Sequence, residues 1–211
     1  MCLGCRMENN PPAPPPSPVA RPAHGDDGTP PGDQMPGMPA GIPLKTPDTV
    51  KQELREYLGE IDVEDIQEFD GEGSWGFWVR FGEYPILIEN LKDTRYMVVA
   101  LQVTLPAGEP VERLTALYQK NDAQFNYEIL RNFSSPITGF SRIFDGEKLV
   151  GFTVSRYLYP FHPNFSIRNL DAALQAVVSV TSVGVAYLKT LLGEWDLEKK
   201  LPRTEPGPMY G

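Results

Sequence analysis

Cys2-Leu3-Gly4-Cys5 is the first grouping along the chain with a spacing that chemistry uses. A CxxC pair becomes a structural zinc site only when two further ligands complete a tetrahedron. It becomes a redox motif when it follows a strand and opens a helix. Neither setting is present: the chain has 2 cysteines and 2 histidines, and the nearer histidine, His24, stands far downstream. The pair reads as two exposed thiols, and initiation at Met7 instead of Met1 would remove both. The second histidine, His162, lies in the segment Tyr157-Leu158-Tyr159-Pro160-Phe161-His162-Pro163-Asn164-Phe165. One histidine without a cysteine in the body of the chain makes neither a His/Cys metal set nor a Cys–His nucleophile pair. A Ser-His-Asp triad would have to use His162, yet no GxSxG elbow presents a serine.

Phosphate-binding glycine motifs are missing too. Gly71-Glu72-Gly73-Ser74-Trp75-Gly76 has tight glycine spacing, but it stands between strand-like runs and reads as a hairpin turn. Asp62, Glu64, Asp65 and Glu68 form an acidic run without the spacing of a calcium loop, so they read as a solvated face. The expectation is a chain with no catalytic, cofactor-binding or metal-ligating set. An enzyme would need unrecognised chemistry centred on His162.

Charge narrows the partners. Nineteen Lys and Arg against 28 Asp and Glu give a formal net charge of −9. Such a surface repels nucleic-acid backbones and anionic lipid headgroups, so neither is expected as a partner. No apolar stretch follows the N-terminal residues, so no secretory or lipoprotein signal is read there. The apolar-rich run Val177–Leu188 is too short to span a bilayer. A cytoplasmic location is expected.

The elements that must position any site begin after a proline-rich arm. Of 22 prolines, 13 fall within the first 47 residues. Prolines at that density remove backbone donors and apolar bulk together, so residues 1–45 are expected to be disordered and biased to polyproline II. Residues 46–193 have the size of one domain with one core, and residues 194–211 form a short tail. Thr46, Pro47 and Asp48 mark a helix start, and Val50, Leu54, Tyr57, Leu58 and Ile61 share one stripe until Gly59 signals an end. Ile66–Asp70 is a short, weak strand. Trp75, Phe77, Val79 and Phe81 then alternate with Gly76, Trp78 and Arg80, and Ile86–Asn90 and Tyr96–Leu105 complete an antiparallel meander.

Pro110 opens a helix carrying Val111, Leu114, Tyr118, Phe125 and Ile129, with a kink or break expected at Asn121-Asp122. A hairpin follows, Ile137–Phe144 and Leu149–Leu158 around Asp145-Gly146-Glu147. Ser166 or Asn169 then caps a long, broadly apolar helix to about Leu192, which suits a buried or subunit-shared position. Strands in runs indicate an α+β fold: helix, 3–4-stranded meander, helix, β-hairpin, long C-terminal helix.

That order resembles the type III secretion chaperone-like fold, shared by CesT-type chaperones, the YbjN-like family and an uncharacterised, largely archaeal prokaryotic family. The resemblance is carried by Val50–Leu58, by Gly76-Phe77-Trp78-Val79-Arg80-Phe81-Gly82-Glu83-Tyr84-Pro85-Ile86-Leu87-Ile88-Glu89 and by Arg95–Val103. It covers residues 46–193 and is nearest to the archaeal group. It implies a homodimer, and for the secretion chaperones a partner chain held extended along the surface without ATP. Those chaperones lack a proline-rich arm, so the resemblance does not name the partner here.

Binding surface is what the residues then offer. Odd positions of the Trp75 strand face the core, which leaves Trp78 and Arg80 on the opposite face. If helices cover one face only, Trp78, Leu87 and Phe140 lie on the open side; otherwise a helix or a dimer mate covers them, and a peptide groove is the remaining reading. The Tyr157–Phe165 segment is either a packed corner or a rim presenting Tyr159, Phe161 and His162. The expected function is a non-enzymatic, dimeric, chaperone-like or adaptor module that binds a protein segment. A structural subunit of a larger assembly is the alternative.

Overall fold

A computed structural model describes residues 43–195. The arm, Cys2, Cys5 and the tail beyond Trp195 lie outside the described residues. The architecture is α+β, with helices on one side of a six-stranded antiparallel sheet of order β1-β2-β3-β4-β6-β5.

Helix α1 spans Pro47–Glu60. The Thr49 N–H donates to Thr46 Oγ1 at 3.3 Å, which satisfies one of the donors a helix start leaves open. Val50, Leu54 and Leu58 are fully buried, as the stripe requires. Gly59 is helical and the cap falls at Ile61, because a lone glycine late in a helix costs little when the next turn signal is two residues on. Strands β1 (Glu64–Asp70), β2 (Ser74–Phe81), β3 (Tyr84–Leu91) and β4 (Met97–Thr104) form the meander. β1 is longer than its apolar content predicts. Its backbone is held along β2, and only a register shift between Glu64 and Gln67, with Asp65 at φ 52°, breaks the ladder.

The break expected at Asn121-Asp122 divides the helix after the meander in two. Helix α2 (Glu109–Gln119) ends before Asn121, whose φ of 49° is left-handed, and α3 (Ala123–Phe133) restarts on Asp122. Asp122 Oδ1 accepts the Phe125 N–H at 2.9 Å, so one short polar pair both stops a helix and caps the next. The hairpin follows as β5 (Gly139–Asp145) and β6 (Lys148–Leu158), with Gly146 at φ 59° in the turn. Its first strand starts two residues later than expected, because Ser135 and Thr138 close a small turn around Pro136-Ile137 first. Helix α4 (Ile167–Leu192) begins with Ser166 N–H donating to Asn169 Oδ1 at 2.9 Å.

Alternation along the strands sends Phe77, Val79, Ile86, Ile88, Val99, Leu101, Phe152 and Val154 into one core with the helix stripes. Leu170, Leu174, Val177, Val185 and Leu188 of α4 run the length of that core. α4, at 26 residues, is also long and apolar enough to cross a membrane by length and composition. That corrects the sequence reading, which counted only Val177–Leu188. Gly184 admits the Phe133 ring, which stacks on Phe152 with centroids 4.5 Å apart. Arg113 ties α2 to the end of α4, its Nη1 donating to the Leu192 carbonyl at 2.9 Å and its Nη2 to Leu191 at 3.1 Å.

Candidate functional site: the second face and the edges of the sheet

The residues that alternate away from the core build the other face. Trp78 sits opposite Leu87 in the β2–β3 register, and Leu87 sits opposite Ala100 in β3–β4. Glu89 lies between Gly76 and Val98, and Val98 is in turn opposite Tyr157. Leu87 is 1% exposed and Val98 and Ala100 are each 2% exposed, yet none belongs to the helix-side core. The sheet therefore carries two apolar layers, and the four helices feed only one of them. Parity from the Trp75 strand predicts that split for Trp78 and Arg80.

Glu89 is the chemical anomaly of this face. It is 1% exposed, and among the described residues neither carboxylate oxygen has a hydrogen-bond donor. A carboxylate removed from water without donors costs several kcal/mol or more if charged. Its neighbour Asn90, by contrast, donates to the Tyr96 carbonyl at 2.6 Å and contacts Thr94 Oγ1 at 3.1 Å. Replacing Glu89 with Leu is expected to stabilise the protein by about 1–3 kcal/mol, because it removes the orphaned oxygens and keeps the volume. Urea melts check this through a higher midpoint at unchanged slope. A lower midpoint would show that the carboxylate has a stabilising partner.

The other predicted site residues divide. Arg80 is on the second face and donates through Nε to Asp65 Oδ2 at 2.8 Å. Phe140 is not on it. Its β6 partner is Val154, a core residue, and its ring lies 6.3 Å from Phe152, so alternation turns it to the helix side. The sequence reading lacked the β5–β6 register that decides this. Tyr159 is exposed, but Phe161 is buried, and its carbonyl accepts the Lys45 N–H at 2.9 Å. Tyr157–Phe165 is thus a packed corner around Phe161 and Phe165 that presents Tyr159 and leaves His162 half-buried. His162 Nδ1 accepts the Asn164 N–H at 3.1 Å.

The acidic run is paired. Arg55 donates through Nε and Nη2 to the two Glu68 oxygens at 2.7 Å each, and that hydrogen bonding holds the Glu68 carboxyl below its usual range. Lys51 bonds Asp70 and lowers that carboxyl likewise, while its Nζ lies 5.0 Å from the Trp75 ring centre. An open cleft of about 400 Å³ beside it, between α1, the end of β2 and the start of α4, is lined by Glu60, Asp62, Phe81, Arg168 and Asp171.

Sequence reasoning missed one cluster. Tyr127 and Leu130 of α3, Ile137 just before β5 and Phe144 within it are between 44% and 58% exposed. Their signal was in the α3 stripe, which uses Phe125, Ile129 and Phe133 and leaves Tyr127 and Leu130 on the far side.

No family model and no curated protein matches this chain. Among solved structures, an uncharacterised protein from Methanothermobacter thermautotrophicus matches with a TM-score of 0.57 at 12% identity, covering 68% of this chain and 99% of its own. It shares the fold. YbjN from E. coli matches at 12% identity over 66% of this chain and 93% of its own, but with a TM-score of 0.39.

Proposed function

We propose that this protein is a non-enzymatic, cytoplasmic adaptor or chaperone-like module that dimerises and holds an extended segment of a partner protein. The observation that carries the reading is the second apolar layer. Trp78, Leu87, Val98 and Ala100 stand apart from the helix-side core and surround a buried carboxylate without donors. Apolar side chains on a sheet face outside the helix-side core suit contact with another chain, and a buried carboxylate without donors is retained where stability is not the only demand. The fold shared with the archaeal protein is compatible with this role and does not specify it.

Trp78→Ala, alone and with Leu87→Ala, is expected to weaken partner capture about tenfold or more in crosslinking pull-downs from native lysate. Circular dichroism checks that the variants fold. An unchanged set of partners with a folded protein would sink the sheet-face reading. Light scattering at micromolar concentration tests the dimer, and a monomer there would remove it.

The reading of a structural subunit draws on α4. Between Asp171 and Lys189 the helix carries no charged residue, and Val183 on its outer side is exposed. An assembly larger than a dimer in the same measurement would favour it.

A further inference from the structure

The two edges of the sheet are built differently. β1 carries Glu64, Asp65, Glu68 and Asp70, and its ladder is interrupted by the shift between Glu64 and Gln67. Charges and an irregular ladder are the devices that keep an edge strand from pairing with other chains. Three of those acids are also engaged by Arg80, Arg55 and Lys51 across β2 and α1. β5 at the other end has one acid, Asp145, at its last position; its ladder also shifts, between Ile143 and Phe144, but its register stays regular from Gly139 to Ile143. Among the described residues β5 pairs only with β6, so its outward row of N–H and C=O groups faces away from the sheet.

Apolar side chains gather at this second edge. Arg142 of β5 donates through Nη2 to Asn126 Oδ1 of α3 at 3.0 Å, which sets α3 over β5 with Asn126 toward the strand. Leu130 is one turn further along the helix, on the same side as Asn126, so it overhangs the edge. Ser134 Oγ donates to the Leu130 carbonyl at 2.6 Å, and Ser135 Oγ accepts the Ile137 N–H at 3.3 Å. These bonds hold Ile137 beside the start of β5. The guanidinium of Arg142 lies 5.5 Å from the Tyr118 ring and 5.7 Å from the Phe140 ring, and its buried Nε has no acceptor among the described residues.

We propose that β5, and not β1, is the edge at which a partner strand adds to the sheet. The partner is an uncharged, extended segment with apolar residues at alternate positions. Its backbone continues the ladder along Gly139–Ile143, and its apolar side chains meet Leu130 and Ile137 at the α3 overhang. A charged segment finds no complementary row on β5, whereas the acids of β1 discriminate against a neutral strand. The inference rests on the reading of a partner-binding module and adds where the partner lies and what chemistry it has.

The test uses the full chain and a fluorescein-labelled peptide alternating valine and threonine over eight residues. The control peptide has the same side chains with N-methyl groups on alternate amides, which prevents ladder formation. Anisotropy is expected to show binding of the first peptide only. Leu130→Glu and Ile137→Asp, both at exposed positions that tolerate substitution, are expected to weaken it about tenfold or more. Ile66→Asp on β1 is expected to change it less than twofold, and peptide binding is expected to slow amide exchange in residues 139–143. Equal binding of the N-methyl peptide, no binding of either peptide, or loss through Ile66→Asp alone would overturn the proposal. If Leu130→Glu turned a dimer into a monomer without altering peptide affinity, β5 would be an interface between copies, and the proposal would fall. Loss through Trp78→Ala with no effect of Leu130→Glu would keep the partner-binding reading and discard this edge.

Discussion

Substituting alanine for Gly184 is expected to destabilise the protein by about 1–3 kcal/mol, although alanine is the better helix former by about 1 kcal/mol. A Cβ at this position would stand 2.4 Å from Phe133 Cε1 and 2.5 Å from Cζ. Neither partner can give way cheaply. Phe133 is fully buried and stacks on Phe152, while Gly184 belongs to the buried stripe of α4. Relief must come from α3 moving off α4 or from an off-rotamer ring, and both cost more than the propensity gain. Urea denaturation reads the effect as a lower midpoint at unchanged slope. Adding Phe133→Leu should recover part of the loss in a double-mutant cycle, because the clash is with the ring itself. If the two substitutions were simply additive, the steric account would be wrong.

Gly76→Ala is expected to be more severe, about 3 kcal/mol or beyond, with much of the protein insoluble. Here the obstacle is backbone: the added Cβ would lie 1.9 Å from the Ile88 carbonyl oxygen, in the ladder between β2 and β3. A side chain can change rotamer, but a ladder carbonyl cannot move without releasing its strand. Gly151 stands in the same relation to the Val103 carbonyl at 2.0 Å, between β6 and β4. Gly59, with nothing within 4 Å of its added Cβ, is the control, and Gly59→Ala should be neutral or stabilising by up to about 1 kcal/mol. Solubility and far-ultraviolet circular dichroism separate the outcomes. A soluble, cooperatively melting Gly76→Ala variant would contradict the close approach of β2 to β3.

Both glycines sit where sequence reading treats glycine as punctuation. Gly76 was part of a turn-like Gly-Glu-Gly-Ser-Trp-Gly run, and Gly184 was one small residue in an apolar helix. What makes them costly to change lies far away in the chain, at Ile88 and at Phe133. No local pattern carries that information, since a close approach is a property of two segments at once.

The candidate surface divides along the same line. Placing Trp78 and Arg80 opposite Trp75, Phe77 and Val79 needed only the two-residue period of a strand. Assigning Phe140 a face needed the register of β5 on β6, and without it the residue was put on the wrong side. Two prolines and several aromatics left Phe161 open between a packed corner and a rim; its carbonyl holds Lys45 and its ring is buried, so it belongs to the corner. The exposed group around β5 was half legible, in the two apolar residues that α3 leaves off its stripe. That they overhang an edge strand depends on α3 lying over β5.

Periodicity, capping residues and turn chemistry, all interactions within a few residues, by themselves determined the order of helices and strands, the helix start at Thr46, and the face that each β2 residue takes. Composition by itself determined the formal net charge of −9. The tertiary structure alone decided that all four helices stack on one side and that β5 rather than β2 or β4 ends the sheet. It decided as well that Glu89 is buried without a donor among the described residues, because burial, edge position and unpaired groups arise from packing between residues distant in sequence.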